Sequence, residues 1–136
     1  MGKFLNFKNL HLILSILIVI PVAFAYGLFP EQVLPTLFDF TVKTVDLKNV
    51  FRAIMCLYLV IAFVWILGLV RPEYWSTATI TNIAFMAGLG IGRVLSLFWD
   101  GLPSTPFLVG IFGELTLAVL GFYQLRKMMR ATDEIQ

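Results

Sequence analysis

Ala84-Phe85-Met86-Ala87-Gly88-Leu89-Gly90-Ile91-Gly92-Arg93-Val94-Leu95-Ser96-Leu97-Phe98-Trp99-Asp100-Gly101 reads as an apolar, glycine-rich helix with one arginine inside it, closed by an acid and a glycine. Much of the remaining chain reads as what allows that arginine to sit in a membrane. Hydrophobic residues make up 60% of the 136 residues and charged residues 13%, against about 45–50% and about 25% in soluble domains. The mean hydropathy is +0.91. Both departures point to lipid as the solvent, and the length suits one membrane domain over residues 1–136.

Outward from that stretch, four apolar runs approach the ~20 residues needed to span a bilayer: Leu10–Leu28, Val50–Val70, Tyr74–Phe98 and Thr105–Leu125. The expected fold is all-α, an integral membrane four-helix bundle. The first run has a rival reading. Lys3 and Lys8 followed by Leu10–Ile20 and Ala23-Phe24-Ala25 resemble a signal peptide with its cleavage site. An uncleaved helix is the preferred expectation, because the apolar run continues through Val22–Leu28 and an odd number of spans would separate the two ends.

Lys and Arg set the orientation. Lys3, Lys8, Arg71, Arg126, Lys127 and Arg130 share one side of the four-span layout, against Lys43 and Lys48 in the loops of the other. The expectation is a bacterial inner-membrane protein with both termini cytoplasmic. In the long first outer loop, Pro30 and Glu31 suit a first helical turn, and Val33, Leu34, Leu37 and Phe38 repeat at helical spacing. Pro35 interrupts them, so one or two short interfacial turns are expected. Thr44 or Asp46 can cap the second span. Tyr74, Trp75 and Trp99 suit headgroup level, and Asp100-Gly101-Leu102-Pro103-Ser104 reads as a tight turn.

Two sets of small residues bear on helix packing. Ala84, Gly88, Gly92 and Ser96 fall four apart on the third span; Gly110, Glu114 and Ala118 do so on the fourth, with Gly121 three further on. Such ladders let backbones approach closely, and these two faces are expected to meet. Arg52, Arg93 and Glu114 are the ionisable residues within the spans. Each charge costs at least ~2.5–3.5 kcal/mol at the bilayer centre, so such residues pair, face the interior or snorkel. At ~1.5 Å per residue, Arg93 lies roughly 7–8 Å and Glu114 roughly 13 Å below the outer end.

The expected site is therefore a polar pocket opening outward, with Arg93 paired to Glu114 and Arg52 lining the same cavity. Asn82 would lie deeper on the Arg93 face. Two cations against one anion leave a charge that Asp39, Asp46 or Asp100 could balance. So could a bound phosphate or carboxylate headgroup, which guanidinium suits. The structural alternative is an Arg93–Glu114 pair that fixes helix register, with Arg52 snorkelling to the headgroups. Cys56, one turn after Arg52, reads as a small hydrophobe. His11, near the cytoplasmic end, reads as interfacial.

The segments Leu34–Phe40 and Asp46–Met55, the run Gly92-Arg93-Val94-Leu95-Ser96 with the Asp100–Ser104 turn, and Glu114 together resemble the DUF4345 family of small bacterial four-span membrane proteins. The resemblance covers nearly the whole chain and implies the four-span fold without naming an activity. Cys56 stands where the resemblance leads us to expect glycine. In size and layout the chain is also similar to DoxX-like membrane proteins, some of them linked to quinone or thiol redox systems, but a single cysteine argues against thiol–disulfide chemistry.

The leading expectation is a pocket for a small amphipathic or anionic ligand or a lipid headgroup. The second is a structural or accessory subunit, partnered by another membrane protein or a second copy, which would leave the Ala84–Ser96 face open instead of covering it with the fourth span. A transporter is disfavoured by the sparse ionisable content of the inner half, and an enzyme by the lack of a nucleophile–base pair or metal-ligand set. No cofactor is called for, and the net charge of +2 gives no footing for nucleic acid.

Overall fold

A computed structural model describes residues 6–133; Lys3, one of the orientation-setting residues, lies outside the described residues. Five α-helices follow in order: α1 (Leu10–Gly27), α2 (Pro30–Leu37), α3 (Val45–Val70), α4 (Trp75–Trp99) and α5 (Thr105–Asp133). Short 3-10 turns over Phe7–Asn9 and Pro72–Tyr74 lead into α1 and α4. Among the described residues no strand occurs, and four helices are long and apolar enough to cross a membrane. The chain is an all-α membrane helical bundle.

Two helices overrun their apolar runs. α3 starts at Val45, five residues before the expected span, because the Thr44 side-chain oxygen accepts the Leu47 backbone N–H at 3.2 Å. That bond satisfies one of the N-terminal donors a helix leaves open. α5 runs on to Asp133, past Leu125, since Arg126, Lys127 and Arg130 are good helix formers and cations suit a helix C-terminus. Hydropathy ends there while the helix does not.

α1 packs along α3, α3 along α4, and α4 along α5, whereas α1 and α5 touch over a much shorter stretch. The core lies between them, around Leu12, Ala23, Ala62, Trp65, Ala78 and Met86, each at most 1% exposed. Close approach rests on two glycines: a Cβ on Gly27 would strike the Met55 side chain, and one on Gly68 would strike Ala78 Cβ.

The loop after α1 folds back onto the bundle. α2 is a single helix of eight residues with Pro30 at its start and Pro35 inside it, so Pro35 does not break it. Leu34 and Val42 are buried beneath. An aromatic cap then spreads across the loop end of the bundle: Phe38 stacks on Phe107 at 4.4 Å between centroids and on Phe40 at 5.8 Å, and Phe40 stacks on Phe51 at 5.7 Å. At the terminal end, Trp75 Nε1 donates to Asn9 Oδ1 at 3.0 Å and Lys8 Nζ sits 4.1 Å from the centre of the Trp75 ring. Trp75 is thus buried within the terminal end of the bundle, while Trp99 is 77% exposed.

Candidate functional site: a paired arginine and glutamate beside a lateral cleft

Arg93 on α4 and Glu114 on α5 form an ion pair in which Nε donates a bifurcated bond to Oε1 and Oε2, each at 2.9 Å. Their side chains are 20% and 13% exposed. Small residues make room. A Cβ on Gly90 would come within 2.6 Å of Leu115 Cδ2, and one on Gly110 would lie 3.6 Å from both Arg93 Nε and Glu114 Oε1. The guanidinium carbon sits 4.9 Å from the centre of the Phe107 ring, so the cation is held between a carboxylate and an aromatic face. Tyr26 neighbours the guanidinium and packs on Tyr58 with centroids 5.9 Å apart.

The α4 small-residue ladder does not meet α5. Ala84, Gly88 and Gly92 are exposed, and a Cβ on Gly88 or Gly92 would find nothing within 4 Å. α4 turns Asn82, Met86, Gly90 and Arg93 inward instead. The reason is rotational: neighbouring helix positions point roughly 100° apart, so Gly92 and Arg93 cannot both face α5, and an unpaired charge in hydrocarbon is the costlier choice. On α5 the expected face does point inward, with Ala118 and Gly121 buried.

Arg52 does not join the pair. It is exposed on α3 and interacts with Glu31 of α2, which Lys48 also approaches at 3.4 Å. The Glu31 carboxyl is held below its ordinary range, first by its own backbone N–H at the start of α2 and then by Lys48 and Arg52, against an opposing desolvation effect. Arg52 therefore feels a carboxylate at the surface, one that Lys48 pairs with directly. Asp39 and Asp46 are exposed, as is Asp100, which accepts a bond from Ser96 Oγ at 2.8 Å. None of the three reaches the pair. Cys56, one turn along from Arg52, is also exposed. The balance at the site is one cation to one anion, so the surplus charge that invited a bound anion is absent.

Beside the pair lies a cavity of about 270 Å³. Ile18 and Val22 of α1 and Val109 and Gly113 of α5 form its rim, with Tyr58 and Glu114 among its inner walls. Rim residues Ile18, Val109 and Gly113 are exposed while Tyr58 is only 7% exposed, so the cavity opens sideways, through the short α1–α5 contact. The expected outward opening is not there: Phe107 and Phe38 cover the guanidinium at the loop end.

A second polar cluster, which the sequence reading missed, lies nearer the terminal end. His11, Ser15, Thr79 and Asn82 are all fully buried, and His11 Nε2 lies 3.1 Å from Thr79 Oγ1. His11 is thus a core residue, packed edge-on to Trp75 at 6.0 Å. Asn82 does share the Arg93 face, but roughly 16 Å away along the helix, too far to border the pair. Both polar atoms of its amide lack a hydrogen-bond partner among the described residues. The available signal was helical spacing, His11 with Ser15 and Thr79 with Asn82, on two helices that come together. An unpartnered buried amide costs about 1–3 kcal/mol. Asn82→Leu should therefore raise the thermal unfolding midpoint, followed by circular dichroism in detergent; a lowered midpoint would show that the amide supports the bundle.

Among the described residues no three His, Cys, Asp or Glu side chains gather where a metal ion could sit. No curated protein matches the chain, and no solved structure does. The family match is broad: residues 7–125 fit the family described as "Domain of unknown function (DUF4345)", which takes in the pair, the cleft walls and the aromatic cap, and the chain belongs to that family.

Proposed function

We propose that the protein binds a small amphipathic molecule taken from the bilayer, with its apolar chain in the cleft between α1 and α5 and its polar head near the Arg93–Glu114 pair. The observation that carries this reading is the cleft itself, apolar at the rim and bearing an ion-paired carboxylate on its wall. Its about 270 Å³ falls just below the ~300–1,000 Å³ typical of ligand pockets, which favours a single chain over a bulky ring system. The membrane would be the bacterial inner membrane and the terminal end cytoplasmic, since Lys8, Arg71, Arg126, Lys127 and Arg130 cluster there.

A second reading rests on the exposed face of Ala84, Gly88 and Gly92, a stripe suited to another helix, from a second copy or from a larger membrane complex. One experiment addresses both. Native mass spectrometry would compare wild type, gently extracted from its own membrane, with Gly113→Leu and Gly88→Leu. A Cβ at either glycine meets nothing within 4 Å, so both variants should fold. Ligand binding predicts a defined added mass lost in Gly113→Leu alone. A dimer or second polypeptide lost in Gly88→Leu alone would favour the partner reading. A wild-type chain carrying only bulk lipid would overturn the ligand reading.

A further inference from the structure

The cleft presents the pair unevenly. Glu114 and Tyr58 line it and Arg93 does not. The guanidinium is engaged through Nε with both Glu114 oxygens, lies against Phe107 and neighbours Tyr26. A molecule entering between Ile18 and Gly113 therefore comes up against Glu114 and Tyr58 rather than Arg93. The Tyr58 hydroxyl makes no hydrogen bond among the described residues, and a phenol both donates and accepts. Glu114, already bonded to Arg93, has lone pairs left to accept but nothing to donate. With one cation already matched to one anion, an incoming anion would bring an uncompensated negative charge against a carboxylate in a region of low dielectric.

We infer that the head group recognised in the cleft is a neutral hydroxyl, which donates to Glu114 and accepts from Tyr58, and that phosphate and carboxylate heads are rejected. The ligand class is a single-chain hydroxylated amphiphile. This rests on the cleft being a binding site and narrows what it takes. The sequence favours an anionic head because it counts Arg52 into the site; the geometry removes Arg52 and puts the acid of the pair, not the base, among the residues that line the cleft.

The test uses two photoreactive probes with the same diazirine-bearing alkyl chain, one ending in a hydroxyl and the other in a phosphate monoester. Each is added to the full-length protein in lipid nanodiscs, irradiated and mapped by peptide mass spectrometry. Labelling near Ile18, Val109 and Gly113 is normalised to labelling at Ile91 and Leu95, which are exposed on α4, so that partitioning into the lipid cancels. The alcohol should label the cleft about tenfold more than the phosphate, since like charges brought together in a desolvated site are strongly disfavoured. Tyr58→Phe should reduce that preference, and so should Glu114→Gln. The tyrosine variant keeps the test informative if loss of the pair prevents folding. Equal or stronger labelling by the phosphate overturns the inference and leaves the cleft reading standing. If neither probe labels the cleft above the level in Gly113→Leu, the cleft reading itself falls.

Discussion

Glu114→Gln and Arg93→Gln should each lower the unfolding free energy in detergent by about 3–5 kcal/mol, and the double variant should lose less than the sum of the two. The magnitude follows from burial. At 20% and 13% exposure this pair is largely out of solvent, so the ~0–1 kcal/mol typical of surface ion pairs does not apply. Removing one partner strands the other charge among helices, leaving Arg93 beside Phe107 and Tyr26 without its carboxylate. Removing both leaves two neutral amides that can bond to each other. Equilibrium unfolding of the four proteins measures the coupling directly, and additive losses would mean that the two residues stabilise the bundle independently.

The second large effect is steric. Gly68→Ala should destabilise by about 1–3 kcal/mol, the usual range for overpacking a filled site. The added methyl would collide with Ala78 Cβ, with Tyr74 carbonyl oxygen at 3.4 Å and Trp75 Cα at 3.5 Å around it. None of these atoms can swing away, because each belongs to the backbone or to the first side-chain carbon. α3 and α4 must separate, and they do so next to the Asn9–Trp75 and His11–Thr79 bonds. Ala78→Gly removes the obstructing methyl, so the Gly68→Ala/Ala78→Gly pair should regain most of the loss in a thermal unfolding series. A neutral Gly68→Ala would show that the two helices are not in contact there.

The spans were legible because the solvent writes them: a bilayer demands about 20 apolar residues in a row, and a short window of sequence reveals that. The Arg93–Glu114 pair was legible for a related reason, since charges inside such runs have few places to go. What stayed hidden depends on helix rotation and on which neighbour a helix chooses. Arg52 lies within a span by sequence, yet its side of α3 looks to Glu31 on α2. The Ala84–Gly92 ladder promised packing, but Arg93 fixed the rotation of α4 and left the ladder outside. His11 and Asn82 are 71 positions apart in the chain, and only the packed bundle brings both beside Gly121. The aromatic cap joins Phe38, Phe40, Phe51 and Phe107 from three separate segments, and no local pattern distinguishes them from other apolar residues.

The short turn between α4 and α5 bears on how the chain enters the membrane. Arg93 and Glu114 are separated by 21 positions, with Asp100–Ser104 folding one helix back on the other. Delivered alone, α4 carries a bare guanidinium into hydrocarbon, at ~2.5–3.5 kcal/mol even on insertion scales, and α5 then brings a bare carboxylate. Delivered together as a hairpin, the two cross as a neutral unit with their bond already formed. The pair thus favours entry of α4 and α5 together over entry one by one, and a ribosome stalled before Glu114 emerges would hold α4 at its least favourable moment.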